Sequence, residues 1–213
     1  VKTLRGGWST EALASVNWQG ISALDIRELV LPQTTVDFHH RPAVCNVPIL
    51  VNANAPQRLV EAWPFVLLCE GESARLASAF TLADGVPLKW KGCFSAAPGD
   101  LAYTRQMHAD GGWETLVVPF DTRVPDEFEA RVPGEISANE IIFTKTDRLQ
   151  ANQAVIIRHK GAACGDEPQL ILCNDSENVG VAVSECFLQG LYDTLRVEDS
   201  GAGIYLLEAS GRY

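Results

Sequence analysis

Histidine and cysteine stand close together at one place in the chain, where they raise the question of a zinc site. His39 and His40 are followed by Cys45, and structural zinc is held by such ligands at short spacing, usually with a second pair elsewhere. The second pair is weak, because eight residues separate Cys164 from Cys173 and the chain has no C-x-x-C. Adjacent side chains on a strand point to opposite faces, so both histidines would not readily ligate one ion. We therefore expect loop or core roles here, with no metal and no cofactor.

The cysteines are six in number, which in a chain of this length says little about disulfides. Most of them lie inside apolar runs such as Phe65–Cys69 and Leu170–Cys173, where a thiol packs as a small hydrophobic group. We expect the cysteines to be reduced and buried; the six are Cys45, Cys69, Cys93, Cys164, Cys173 and Cys186.

Two features concern carbohydrate, one as a ligand and one as a modification. The chain has five tryptophans that could stack on sugar rings: Trp8, Trp18, Trp63, Trp90 and Trp113. Trp90 and Trp113 each open an apolar strand, so we expect these two to pack against a sheet face. The sequon Asn174-Asp175-Ser176 would accept a glycan only in a secreted chain, and a turn after a strand is the favoured interpretation.

A nucleophile is the remaining chemical candidate. The stretch Ala162–Asp166 (AACGD) resembles the Gly-x-Cys-Gly turn of chymotrypsin-like viral cysteine proteases. That resemblance implies Cys164 as a thiolate beside backbone N–H donors, with His40 as the base and Glu70 or Asp84 as the orienting carboxylate. The sequence departs from the pattern, since Ala162 and Asp166 replace glycines and no histidine follows Cys164. An anionic neighbour also opposes thiolate formation, so we expect Cys164 to lie in an ordinary loop.

The charge balance narrows the classes of partner. Among 213 residues, 27 acids face 17 Lys and Arg, which gives a net charge of −10. The imbalance is strongest in residues 161–213, with nine acids and two bases. Sequence-independent binding to phosphate backbones needs surplus cations, so we expect no direct nucleic-acid binding.

No apolar run approaches the roughly 20 residues of a membrane helix, and we expect no membrane span. The sequence begins at Val1, and its first residues do not have the pattern of a signal peptide. This suggests a processed chain.

The first part of the chain predicts a mixture of short elements. Capping residues at Ser9-Thr10-Glu11 predict a helix near residues 10–17, inside an N-terminal arm of about residues 1–24. Extended runs follow at Asp25–Leu31, Val36–His40 and Ala43–Val51, and then helical spacing from Pro56 to Trp63, which Pro64 ends. Phe65–Cys69 suits a buried strand, and Glu72–Leu82 fits a helix and a strand almost equally well.

The part after Pro87 shows regular punctuation by Gly, Pro, Asn and Asp. Short strands at roughly ten-residue spacing are typical of a β-sandwich or barrel, and no repeat of 20 to 50 residues stands out. We therefore predict one all-β domain over residues 1–213, an antiparallel β-sandwich with one or two short helices. Its candidate strands are Leu88–Ser95, Leu101–His108, Thr115–Phe120, Glu127–Val132, Ile136–Thr146, Ala154–His159, Gln169–Cys173, Val179–Val183 and Gly203–Glu208.

Two segments carry a resemblance to a known family. Leu88–Phe94 contains the pattern W-x-G, and Asp110–Phe120 ends in V-P-aromatic. Together they resemble the middle strands of jelly-roll capsid proteins of picorna-like viruses. The resemblance implies a structural subunit of an icosahedral virion, released from a polyprotein and assembled through lateral interfaces with other capsid subunits, with outward loops that contact a host receptor. It implies no catalytic residue.

Two alternatives remain open at this point. One is a β-sandwich module that binds a glycan or a protein, and the other is the chymotrypsin-like cysteine protease built on Cys164. Particle formation, quenching of tryptophan fluorescence by sugars and selective alkylation of Cys164 would distinguish the three functions.

Overall fold

The computed structural model describes residues 3–5, 28–30, 46, 48–53, 57–62, 64–86, 88, 90, 92–108, 111–137, 140–161 and 167–181. Among these residues the chain is mostly β, with 16 strands and one short helix. This confirms the predicted all-β class. The helix predicted at residues 10–17, the stretch Val36–His40 and the strand Gly203–Glu208 lie outside the described residues.

The first four strands form a parallel run. They are β1 (Thr3–Arg5), β2 (Glu28–Val30), β3 (Ile49–Asn52) and β4 (Val66–Glu70). The pairs β1–β2, β2–β3 and β3–β4 are all parallel, and helix α1 (Gln57–Ala62) connects β3 to β4. Successive strands that lie side by side in chain order are typical of solenoid repeats. The prediction of antiparallel pairing throughout is therefore wrong for this part, including β1, which lies within the predicted arm.

Burial explains the parallel pairing. Three consecutive residues in β3, Ile49 to Val51, are buried, and so are three in β4, Val66 to Leu68. A strand that is covered on both faces has a continuous apolar run rather than an alternating one, and parallel sheets are built from such strands. The helical connection α1 contributes one buried side chain, Val60, to the same core.

Helix α1 matches the helical spacing in the sequence. It starts at Gln57, whose side-chain amide donates to Glu61 one turn later at 3.0 Å, and it ends before Pro64. The ambiguous stretch Glu72–Leu82 contains strands, because β5 (Ser73–Leu76) and β6 (Phe80–Ala83) both occur there. No helix among the described residues is long and apolar enough to cross a membrane.

Ten further strands follow between residues 92 and 181. They are β7 (Gly92–Ser95), β8 (Leu101–Gln106), β9 (Glu114–Leu116), β10 (Thr122–Arg123), β11 (Phe128–Ser137), β12 (Glu140–Thr146), β13 (Arg148–Leu149), β14 (Val155–His159), β15 (Gln169–Cys173) and β16 (Asn178–Val181). Each lies in or beside a strand predicted from the punctuation, except β10 and β13, which the sequence did not indicate.

These ten strands pair in a nested, antiparallel order. The hairpin β11–β12 is innermost, and it is followed outward by β10 with β13, β9 with β14, β8 with β15, and β7 with β16. The two arms, residues 92–137 and 140–181, thus run alongside each other as one long interrupted hairpin.

The nested pairs are distributed over several sheets. One sheet has the order β12-β11-β14-β9, a second has β15-β8-β6, a third has only β10-β13, and the large sheet has β1-β2-β3-β4-β5-β7-β16. Strands β5 and β6 join β7 and β8 in parallel, so parallel and antiparallel ladders meet there. The arms therefore cross from one sheet to the next between successive pairs.

A cluster of aromatic rings connects the large sheet to the second one. Phe65, next to β4, stacks on Phe80 of β6 with ring centroids 4.5 Å apart and meets the edge of Phe94 in β7 at 6.1 Å. Trp90 packs on Phe94 at 6.2 Å, and its indole N–H donates to the Gly92 carbonyl. Trp90 is buried, which confirms the packing role predicted for it. The core thus continues from the parallel run into the nested strands.

A buried asparagine fixes the start of β8. The Asn174 side chain accepts hydrogen bonds from the N–H groups of Gly99 and Leu101, and its amide donates to the carbonyls of Ala96, Ala97 and Ser176. Only 2% of the residue is exposed. The amide that a glycan would need is therefore committed to the turn after β15, as the turn interpretation of the sequon predicted.

Candidate functional site

The residues of the predicted zinc and protease constellations are mostly not placed. His39, His40, Cys45 and Cys164 lie outside the described residues. The two candidate carboxylates are placed at the ends of strands of different sheets: Glu70 is exposed at the end of β4, and Asp84 follows β6 and accepts a hydrogen bond from the Tyr103 hydroxyl. Over the described part of the chain, no three His, Cys, Asp or Glu side chains are grouped as metal ligands.

The cysteine prediction is corrected in part. Cys93 and Cys173 are free thiols, as expected, but both side chains are exposed. They lie at outward positions of β7 and β15, where alternation turns every second side chain away from the core. Cys69 is half-buried.

The sheet β12-β11-β14-β9 has two chemically different faces. Along β11, Phe128 and Ala130 are buried in the core, whereas Glu129 and Arg131 lie on the opposite face. Register places the partners of these residues on the same outer face: Arg158 of β14 lies opposite Glu129, and Lys145 of β12 lies opposite Arg131. Strand alternation and register alone therefore bring these four side chains together. We call them, with the neighbouring Trp113, the cationic face.

Glu129 holds two arginines at the centre of the cationic face. Its Oε1 accepts from Arg131 Nε at 2.9 Å and Nη2 at 2.7 Å, and its Oε2 accepts from Arg158 Nε at 3.2 Å and Nη2 at 2.7 Å. Hydrogen bonds from Arg158 and then from Arg131 lower the pKa of Glu129 from 4.5 to about 2. The carboxylate is thus charged throughout the physiological range, and the triad carries one net positive charge.

Trp113 lies against both guanidinium groups. The Arg158 Cζ is 4.5 Å from the indole centroid, and the Arg131 Cζ is 5.0 Å from it. Both distances are within the range of cation–π attraction. Trp113 is half-buried, so the packing role predicted for it is performed against arginine side chains at the surface rather than in the core.

The cationic face is unbalanced in charge. Arg131 and Lys145 lie directly opposite each other, and like charges at such positions are destabilising. Lys145 is exposed and has no ion-pair partner among the described residues. In the regular part of the ladder, between Phe128 and Pro133, this face thus presents three cations, of which Arg131 and Arg158 share the Glu129 carboxylate and Lys145 does not. This concentration of positive charge occurs in a chain whose net charge is −10.

A second charged network lies between two sheets and is more deeply buried. The Arg105 Nη2 of β8 is 2.8 Å from Glu114 Oε2 of β9, and the Arg105 Nη1 donates to the Thr115 carbonyl at 2.8 Å. The Glu114 Oε1 accepts from the His108 N–H at 2.8 Å, while its Oε2 has no hydrogen bond of good direction. The contact of Oε2 with Arg105 is therefore an ion pair with poor hydrogen-bond geometry. Arg105 fastens β8 to β9.

Tyr103 extends this network to the surface. Its hydroxyl donates to Asp84, whose other carboxylate oxygen is 3.7 Å from the Arg105 Nε. Burial, followed by the hydrogen bond to Asp84, raises the pKa of Tyr103 well above its usual value. The phenol therefore remains protonated and acts as a hydrogen-bond donor that positions Asp84. This network connects the sheets that contain β8 and β9. Asp84, whose side chain is 43% exposed, is the part of the network that a ligand can reach.

Comparisons with known proteins add no relative: no protein family, no curated protein and no solved structure matches the chain. The functional interpretation therefore depends on the geometry of the chain itself. Sequence reasoning missed the cationic face, apart from Trp113. The available signal was the alternation Glu129-x-Arg131 in a predicted strand, but the partners on β12 and β14 become visible only once the register is known.

Proposed function

We propose that this chain is a β-sandwich recognition module that binds its ligand on the cationic face. The nested pairing of β7 to β16 supports a jelly-roll type of sandwich, because a jelly roll is a long antiparallel hairpin wrapped into two layers. Jelly rolls occur in lectin domains as well as in viral shells. The fold alone therefore leaves both interpretations open, and the site has to discriminate between them.

The observation that carries the proposal is the arrangement of Trp113, Arg131 and Arg158 around Glu129. Two guanidinium groups are held in fixed positions by one carboxylate and one indole ring. About 39% of the Arg131 side chain and 38% of the Arg158 side chain are exposed. Preorganised arginine and half-buried tryptophan are the residues most enriched at the centres of binding surfaces.

The opposition of Arg131 and Lys145 points in the same direction. An unpaired cation beside a second cation reduces the stability of the free sheet, and a bound group that accepts hydrogen bonds from both would remove this repulsion. The stability of the fold therefore gives no reason for two cations at these opposite positions.

Binding to an array tests the proposal. We would measure the binding of the full chain to an array of neutral oligosaccharides, acidic oligosaccharides and acidic peptides, and repeat the measurement with Arg131→Gln. A matched control is Arg123→Gln, which removes one exposed cation from β10, outside the cationic face. The proposal requires at least one ligand whose binding is lost in Arg131→Gln and kept in Arg123→Gln. Equal binding by both variants to every ligand would refute it.

A structural subunit of a viral capsid is the second candidate. The two segments that carry the capsid resemblance meet at β16, since Val179 pairs with Phe94 and bridges to Phe120, and the Gly180 N–H donates to the Pro119 carbonyl. This proximity is compatible with the middle of one jelly roll. The parallel run β1–β4 is an addition that the resemblance does not imply. In this proposal the partners are other capsid subunits and the location is the virion.

Light scattering after size-exclusion chromatography distinguishes the two functions. A capsid subunit should form pentamers or larger particles as the concentration rises. A recognition module should keep one mass over the same range, and a constant mass of 23.2 kDa would exclude assembly through lateral interfaces.

A further inference from the structure

We propose that the cationic face binds a carboxylated oligosaccharide, such as a chain of uronic acid residues. This inference rests on the proposed function, because it names the ligand class of the same site. Three features of such a ligand match the cationic face: a carboxylate group can bind the arginines, an extended chain can follow the three cations, and a sugar ring can pack against the tryptophan.

The arginines are prepared for a planar anion. Each guanidinium donates from Nε and Nη2 to Glu129. Over the described part of the chain, the Nη1 of each has no protein acceptor. Arginine carries five N–H donors in a rigid fork that matches a carboxylate. The donors not used by Glu129 are therefore available to a second carboxylate, supplied by the ligand, and the neighbouring indole ring restricts the motion of both guanidinium groups.

The cations form a diagonal row, because Lys145 lies opposite Arg131 whereas Arg158 lies opposite Glu129, two residues away along β11. Lys145, Arg131 and Arg158 belong to β12, β11 and β14, which are adjacent in the sheet. Neighbouring strands are about 4.8 Å apart, so the row extends over roughly 10 Å. A compact anion such as phosphate would contact one end of this row, whereas a chain with charges on successive units contacts all of it.

Trp113 distinguishes a sugar from other anionic chains. Both guanidinium groups lie over the indole ring, and the ring is only half-buried; the part of it that the arginines leave uncovered can pack against the C–H groups of a pyranose whose carboxylate they bind. Nucleic acid is disfavoured, because its dense phosphate charge would be repelled by a chain of net charge −10. An oligosaccharide with one carboxylate per ring carries a lower charge density.

The test uses three matched probes with the full chain: a galacturonate oligosaccharide, its methyl ester and a polyglutamate of equal charge. Isothermal titration calorimetry should detect binding of the galacturonate oligosaccharide, weakened by added salt. Arg131→Gln should lower its affinity about tenfold, since it removes a charge-assisted hydrogen bond. Lys145→Gln should lower it about threefold. Arg123→Gln should change it by less than about twofold, because that charge lies outside the face. Lys145 has no ion-pair partner to lose among the residues that the structure describes, so this variant keeps the inference testable if Arg131→Gln unfolds.

The outcomes separate this inference from the proposed function. Equal binding of the methyl ester would overturn the carboxylate part and leave a recognition face for neutral sugar. Polyglutamate binding as tightly as the galacturonate would overturn the carbohydrate part in favour of an acidic peptide. Absence of binding by all three probes, with another ligand from the array still lost in Arg131→Gln, would refute the inference alone. Absence of any ligand dependent on Arg131 would refute both.

Discussion

Replacing Arg105 by methionine should destabilise the protein more than the loss of any exposed ion pair. Glu114, its partner, has a side chain that is only 6% exposed. The methionine would keep the apolar stem of Arg105 but would leave the Glu114 carboxylate buried with a single donor, the His108 N–H. It would also remove the donor of the Thr115 carbonyl. The perturbation therefore isolates one buried charge and unfastens β8 from β9.

The magnitude follows from the burial of the pair. Removing one partner of a buried ion pair costs about 3–5 kcal/mol, because the remaining charge is uncompensated. The Arg105 side chain is 21% exposed, so water relieves part of this cost, and we expect about 3 kcal/mol. Arg148→Met is the matched control: Arg148 and Asp175 are 52% and 28% exposed and pair at the same 2.8 Å. An exposed pair contributes about 0–1 kcal/mol.

Urea unfolding at neutral pH measures the difference. We expect the free energy of unfolding to fall by about 3 kcal/mol in Arg105→Met and by less than about 1 kcal/mol in Arg148→Met, with the m-value unchanged in both. In Arg105→Met/Glu114→Gln, the second substitution removes the unpaired charge but keeps an acceptor for the His108 N–H. It should restore most of the loss. If Arg105→Met costs no more than Arg148→Met, or if Glu114→Gln restores nothing, the buried charge is not what the arginine compensates.

The remaining predictions concern single positions. Glu129→Gln should flatten the acid limb of the stability curve: the pKa of Glu129 is lowered from 4.5 to about 2, so its contribution is present above about pH 4.5 and disappears as the pH falls towards 2. Urea unfolding between about pH 2.5 and 7 would show this, and an unchanged pH dependence would mean that the carboxylate titrates normally. Gly180→Ala places a methyl carbon 2.9 Å from the Cys93 Sγ and should cost about 0.5–1.5 kcal/mol, because the exposed thiol has to leave its present rotamer. Addition of Cys93→Ala should recover this cost, and a double variant as unstable as Gly180→Ala would place the strain elsewhere. Asn174→Ala removes the side-chain partners of two backbone groups of buried residues, the Leu101 N–H and the Ala96 carbonyl, and should cost about 2–4 kcal/mol in thermal unfolding, whereas Asn178→Ala, at an exposed position, should cost little. Similar costs for the two would contradict the role assigned to Asn174.

Local signals in the sequence were sufficient for most of the secondary structure. The strand predicted at Gln169–Cys173 has the same bounds in the structure, and Leu101–His108 is longer than β8 by two residues. In both, alternation and turn residues act over a few positions. Helix α1 was likewise indicated by Pro56 and Pro64, because proline restricts its own neighbourhood.

Long-range pairing was not accessible in this way. Strands β1 to β4 were predicted in part. The continuous apolar runs at Ile49–Val51 and Val66–Leu68 are of the kind that parallel strands have, but they do not identify which strand is the partner of which. The structure shows a repeated arrangement there without a sequence repeat. Burial on both faces, which decides the direction of pairing, depends on elements elsewhere in the chain.

The candidate site was inaccessible for the same reason. Glu129 and Arg131 are two residues apart, but Arg158 reaches Glu129 from β14 through the register of the ladder. Charged residues at alternating positions are common on exposed strands, so the pattern has no specificity until its neighbours are known. The resemblances to capsid proteins and cysteine proteases depended on short motifs, and they remain predictions.

The concentric order of strands β7 to β16 has a consequence for biosynthesis. Only the hairpin β11–β12 has neighbours in sequence as partners; β8 waits for β15, and β7 waits for β16, whose last residue is Val181. Each pair that has formed shortens the flexible loop that the next pair has to close, which lowers the entropy cost of that closure. Folding is therefore favoured from the hairpin β11–β12 outward. During translation β5 and β6 can already pair with one edge of β7 and β8, but the other edge of each strand remains without a partner until the ribosome has delivered the second arm. In this interval the nascent chain is most exposed to aggregation.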